Sequence, residues 1–166
     1  RGITYNYGHI EKASAGTYNY GYIDCLIPGS RTLTYNYGKI TDSQSRVGTN
    51  YGTIEKNNAS VDTNYSIIEN NTGTINRYSS DATLNENSGT INTLSKGSVR
   101  KNTGKINDVN DKNVTIYNYA GGTVGKSNDA WGVRACTVWN MGGIVQGYSS
   151  YADNVKVYNF EGGTGS

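Results

Sequence analysis

A five-residue phrase, Asn-x-Gly-x-Ile, returns along almost the whole of this chain. It reads YNYGHI, YNYGYI, YNYGKI, TNYGTI, NNTGTI, ENSGTI and KNTGKI, anchored on Asn6, Asn19, Asn36, Asn50, Asn71, Asn87 and Asn102. TNYSII at Asn64 puts Ser66 in the glycine place, and looser forms follow at Asn118, Asn140 and Asn159. Successive motif asparagines lie 13, 17, 14, 14, 7, 16, 15, 16, 22 and 19 residues apart. A short, nearly fixed period is the signature of a solenoid. Coils of about 14 to 16 residues hold two short strands and their corners at roughly 3.3 Å per residue. The interval of 7 marks two motifs inside one irregular coil, and the long late intervals point to loops or a third side.

The place after each glycine carries the core. Ile10, Ile23, Ile40, Ile54, Ile68, Ile75, Ile91, Ile106 and Val124 share it, which predicts a single interior stack with rungs about 4.8 Å apart. A second aliphatic column, Ile3, Leu33, Val47, Val61, Leu84 and Val99, precedes the asparagine by three residues. Asn, Gly and Ile share parity, so in an extended strand all three point inward. Inward amides are costly unless paired, and stacked asparagines pair with one another from coil to coil. The glycine then gives room for close backbone approach.

Composition supports this without settling it. Only 34% of the chain is hydrophobic, which alone leans toward disorder, but charge is low at 17% and the aliphatics are spaced rather than scattered. With 22 Gly, 15 Tyr and one Pro, this is a β composition with many corners. Asn-x-Gly hairpin turns in an antiparallel protein, or an Asn/Tyr/Gly-rich disordered chain, are the alternatives. The expectation is an all-β, parallel β-solenoid (β-helix) of roughly ten short coils, about 45–50 Å long. Residues 1–166 form a single repeat domain on this reading.

These Asn-x-Gly-x-Ile coils resemble those of the parallel β-helical passengers of large bacterial surface adhesins of the filamentous-haemagglutinin type. Tail spikes and pectin-lyase-like proteins share the wider architecture. The resemblance implies an extracellular or cell-surface adhesive role, and it carries no catalytic residue over to this chain.

The residues offer little to catalysis. His9 is the single histidine and no Gly-x-Ser-x-Gly elbow exists. One His and two distant Cys do not make a standard zinc site. Recurrent Gly-Gly pairs at 121–122, 142–143 and 162–163 read as corners rather than phosphate cradles. No enzyme, cofactor or metal is expected. A net charge of +2 without a basic run gives no nucleic-acid partner, and no apolar stretch long enough for a membrane helix occurs. The acidic column Glu11, Asp24, Glu55 and Glu69, continued by Asn76, Asn92 and Asn107, reads as a solvated corner, with a calcium site or acidic groove as the sharper alternative.

The tyrosines are the functional candidates. Tyr7, Tyr20, Tyr37, Tyr51 and Tyr65 follow the motif asparagine, and Tyr5, Tyr18 and Tyr35 precede it. With the asparagine inward, these eight point outward as a ribbon of phenols, suited to an interface. Packing against another copy, stacking on a surface polysaccharide, or plain side-to-side stabilisation all fit. Ice binding needs a flat threonine array. Thr53, Thr74, Thr90 and Thr123 share a place that His9, Tyr22, Lys39 and Lys105 interrupt.

The chain opens on Arg1 and so reads as a processed form or an excised segment. The motif begins at Tyr5 and runs almost to Ser166 with no capping helix, so the expected role is non-enzymatic self-association, end to end into a filament. A glycan- or ice-binding surface on the same scaffold is the alternative. Cys25 and Cys136 lie about seven coils apart, roughly 33 Å, too far for a bridge within one chain.

Overall fold

The computed structural model describes residues 2–29, 32–127, 132–148 and 154–165. Among these residues 21 strands join one sheet that winds into a parallel solenoid of about nine turns, close to the ten expected. Each coil lays one strand on each of two faces. Face A runs from Gly2–Asn6 through Ala15–Asn19, Leu33–Asn36, Val47–Asn50, Ser60–Asn64, Thr74–Tyr78 and Thr90–Leu94 to Thr164–Gly165. Face B runs from His9–Ala13 through Tyr22–Leu26, Lys39–Ser43, Thr53–Asn57, Ile67–Asn71 and Ser98–Asn102 to Val155–Asn159. Strand pairs with strand one coil on, in register, as in Ile40↔Ile54↔Ile68 on face B and Val47↔Val61↔Ile75 on face A.

The local rule is clearest over residues 46–80, which read RVGTNYG, TIEKNNA, SVDTNYS, IIENNTG and TINRYSS. Each heptad is one strand and one two-residue corner, so a coil is two heptads. The second and fifth residues are buried, as in Val61 and Asn64 or Ile68 and Asn71. Burying positions 2 and 5 leaves two consecutive outward residues in each strand, so strict alternation does not hold within it. Parity is lost again at the corner, and the motif glycine lies on the corner, not in the core.

The expected single isoleucine stack is therefore two stacks. Ile10, Ile23, Ile40, Ile54 and Ile68 lie on face B, whereas Ile75, Ile91, Ile106 and Val124 lie on face A. The second aliphatic column divides in the opposite sense. Leu33, Val47 and Val61 lead into Ile75 on face A, while Leu84 and Val99 are paired on face B. All of these residues except Ile10 and Ile3 are fully buried, with Ile10 packed part-buried against the cluster and the Ile3 side chain outside the described residues. The interval of seven between Asn64 and Asn71 is the half-coil step at which the motif changes corner.

The late coils are longer because a short third side opens between the faces. Lys105–Tyr119 turns from face A to face B within one strand, and at this turn the column of Leu94 and Val109 continues through Val133 to Tyr148.

Asparagine ladders and a candidate interaction surface

Two buried asparagine ladders brace the corners. On the face A side, Asn6, Asn19, Asn36 and Asn50 each donate Nδ2 to the next Oδ1 at 2.7–2.8 Å, and the ladder ends at Asn64. On the face B side, Asn57, Asn71, Asn87, Asn102, Asn118, Asn140 and Asn159 continue at 2.7–2.9 Å. Every bond runs from the earlier coil to the later one. Within a coil the same amide also holds its own corner, as Asn36 Nδ2 does with the Gly38 carbonyl at 3.2 Å. The ladders overlap only in the middle coils. Tyr78, Leu94 and Val109 replace the first ladder, and Ala13, Leu26 and Ser43 precede the second.

The carbonyls of Asn6, Asn19, Asn36, Asn57, Asn71 and Asn87 also take the two backbone N–H groups of the next corner. Tyr37 and Gly38 donate to Asn19 O at 2.7 and 2.9 Å, and Ser88 and Gly89 donate to Asn71 O at 2.9 and 3.1 Å. This seats one corner directly on another. A Cβ at Gly38 would stand 2.0 Å from Gly21 O, and one at Gly89 would stand 2.0 Å from Gly73 O. Glycine is required here for proximity, since neither position has a positive φ.

The sequence reading missed Asn57. It lacks the glycine two residues on, but the heptad rhythm of residues 46–80 places it in the column. Its Oδ1 is buried without a hydrogen-bond partner, because the column below holds Ser43, whose Oγ donates to Ser45 O at 3.1 Å.

The tyrosines flank the first ladder in two parallel files. Tyr7, Tyr20, Tyr37, Tyr51 and Tyr65 stack at centroid spacings of 5.0–5.3 Å. Tyr5, Tyr18 and Tyr35 stack beside them at 5.1 and 5.2 Å. Exposure ranges from 43% at Tyr20 to 74% at Tyr7, with Tyr18 and Tyr35 half-buried. Both faces of the Tyr20, Tyr37 and Tyr51 rings are covered by neighbours within their own file. Ring edges and hydroxyls are what the ribbon offers outward. Partial burial and then the neighbouring phenols push the Tyr20 and Tyr37 hydroxyls above their ordinary 10.0, so both stay protonated donors at neutral pH.

A second aromatic group, absent from the sequence reading, lies on the opposite corner in the late coils. Trp139 stacks on Tyr158 at 4.6 Å and lies 6.0 Å from Phe160 and 6.3 Å from Tyr117. Its signal is the repeat of aromatic residues on both sides of a motif asparagine, Tyr117-Asn118-Tyr119 and Tyr158-Asn159-Phe160.

The other candidates do not converge. His9 Nε2 meets Asp24 Oδ2 at 3.0 Å on the surface, and Lys39 pairs with Glu55 while standing over the Tyr22 ring. Asn76, Asn92 and Asn107 do not continue the Glu11 column as expected. They lie on face A above Asp62, in an outward amide row with bonds of 3.2, 2.9 and 2.8 Å. The threonine column is likewise split: Thr53 pairs with Lys39 and Ile67 on face B, and Lys105 separates Thr90 from Thr123 on face A. Among the described residues no three His, Cys, Asp or Glu side chains gather as a metal site. Cys25 and Cys136 are both free thiols; burial pushes Cys136 up to about 12. No family model, curated protein or solved structure matches this chain.

Proposed function

We propose that this chain is a non-enzymatic structural or adhesive solenoid, acting outside the cell or at its surface, that associates with copies of itself through the tyrosine ribbon. The observation that carries the reading is the double file of stacked phenols. Six of the eight are exposed between 43% and 74%, which at about 150–250 Å² per tyrosine presents on the order of 600 Å² of aromatic surface. One side of a standard protein interface supplies about 800 Å². Covered ring faces count against sugar stacking, which uses a ring face, and leave edges and hydroxyls that suit a second flat surface. The surface location rests on the adhesin-like coil motif.

Sedimentation velocity and electron microscopy across a concentration series test this. Assemblies that grow with concentration and are lost in Tyr20→Ser/Tyr37→Ser/Tyr51→Ser, with the β circular dichroism kept, are expected. A monomer at every concentration rejects self-association. Binding of a β-linked polysaccharide by that monomer moves the role to glycan adhesion.

A further inference from the structure

We infer that the late aromatic cluster is the counterpart of the tyrosine ribbon: a second copy lies alongside the first, parallel and shifted along the axis, with its cluster on the ribbon. This rests on the self-association proposed above and names the surface that the ribbon meets.

The distribution of aromatic side chains around the ladders supports the pairing. Aromatic residues on both sides of a ladder asparagine occur at Asn6, Asn19 and Asn36 on one corner, and at Asn118 and Asn159 on the other. Asn140, between the last two, has Trp139 and Met141. The rungs between them on that second corner are flanked by polar residues: Lys56 and Asn58, Asn70 and Thr72, Glu86 and Ser88, Lys101 and Thr103. The cluster is exposed in its turn, Phe160 by 49% and Tyr158 by 45%.

Pitch and position then select the partner. Ribbon and cluster are both set by coil stacking: ribbon rings follow one another at 5.0–5.3 Å, and Tyr117, Trp139 and Tyr158 at 6.3 and 4.6 Å, one ring per coil. A second solenoid is a surface that likewise presents one ring per coil along the contact. The two patches sit on opposite corners, and their centres, near Asn36 and Asn140, are about six coils or roughly 29 Å apart along the axis. A closed two-fold dimer through either patch leaves the other one bare. A sideways step combined with a shift of about 29 Å brings the cluster of one copy onto the ribbon of the next, and the operation repeats as an open, staggered sheet. Trp139 provides the large, half-buried aromatic that interface centres favour.

Complementation between two variants tests this. Tyr20→Ser/Tyr37→Ser disables the ribbon and Trp139→Ser/Tyr158→Ser disables the cluster. Tyr158→Ser/Phe160→Ser, confined to exposed side chains, replaces the second if Trp139→Ser unfolds the late coils. The expected result is that wild type forms large assemblies, each variant alone does not extend laterally, and an equal mixture forms a one-to-one heterodimer by sedimentation. Homodimers of the cluster variant, in the mixture or alone, show that ribbon meets ribbon and overturn the pairing. A mixture that stays monomeric while wild type assembles also overturns it and leaves self-association standing. A monomeric wild type overturns both.

Discussion

A hydrogen-bond ladder carries its unsatisfied end once, and this makes rungs of identical chemistry unequal. Asn87 is an internal rung: it accepts from Asn71 Nδ2 at 2.7 Å and donates to Asn102 Oδ1 at 2.7 Å. Leucine fits columns of this kind, since Leu26 and Leu94 occupy them without exposure. Asn87→Leu strips Asn71 of an acceptor and Asn102 of its ladder donor, at about 1–3 kcal/mol for each buried group. Burying the leucine side chain returns about 1.5–3 kcal/mol, so a net loss of about 2 kcal/mol is expected. Asn57 is the first rung of the same ladder, and its Oδ1 is already unpartnered. Asn57→Leu removes that orphan and creates one at Asn71 Oδ1, leaving the count unchanged. The lost Asn57–Asn71 bond, worth about 1 kcal/mol net, is offset by the buried leucine, and the change should lie within about 1 kcal/mol of zero. Urea unfolding followed by circular dichroism measures the difference. At this chain length about 2 kcal/mol corresponds to a fall of roughly 4–8 °C in melting temperature. Equal losses in the two variants, or a neutral Asn87→Leu, would refute the ladder accounting.

Gly89→Ala forces a Cβ to within 2.0 Å of Gly73 O and should cost at least the 1–3 kcal/mol typical of overpacking, whereas Gly8→Ala, with nothing within 4 Å of its Cβ, should be near neutral in the same denaturation assay. Ile54→Ala on face B and Ile91→Ala on face A, both fully buried, should each cost about 2–5 kcal/mol, while the exposed Lys101→Ala should stay below about 1 kcal/mol. Burial raises the Cys136 thiol from 9.0 to about 12 and the Tyr78 hydroxyl from 10.0 to about 12. The folded state therefore holds both protons where the unfolded chain releases them, so the stability these two groups contribute is fully present below pH 9 and is lost from there toward 12. Unfolding midpoints measured from pH 7 upward should decline above about 9, with a shallower slope in Cys136→Ala/Tyr78→Phe. A slope unchanged in that variant rules these groups out as the cause. In native protein, a thiol alkylator should modify Cys25 before Cys136, checked by peptide mass analysis; the reverse order contradicts the burial assigned to Cys136.

The repeat alone determined the architecture. Asn-x-Gly-x-Ile at a nearly constant interval has few ways to hide its amides, and a parallel stack in which Asn36 bonds Asn50 and Asn50 bonds Asn64 is the one the chain adopts. The outward Tyr5, Tyr18 and Tyr35 followed from the inward asparagine next to them on the strand, whereas Tyr7, Tyr20, Tyr37, Tyr51 and Tyr65 lie on the corner just past it, where strand parity does not decide direction. What the sequence left open was phase. A coil here is two heptads, and a motif placed half a coil later has the same local sequence but belongs to the opposite corner. Only coil closure, by the long-range pairing of Ser60–Asn64 with Thr74–Tyr78, assigned Ile68 and Ile75 to different faces. That same assignment ended the first ladder at Asn64 and placed Asn71 in the second, exposed Asn57 as a rung without a glycine, and put Thr53 on the far side of the molecule from Thr74. It also set Tyr158 and Phe160 on the corner opposite the tyrosine ribbon. Each of these depends on which residues meet across a full turn, and a local repeat, identical at both corners, does not encode that choice.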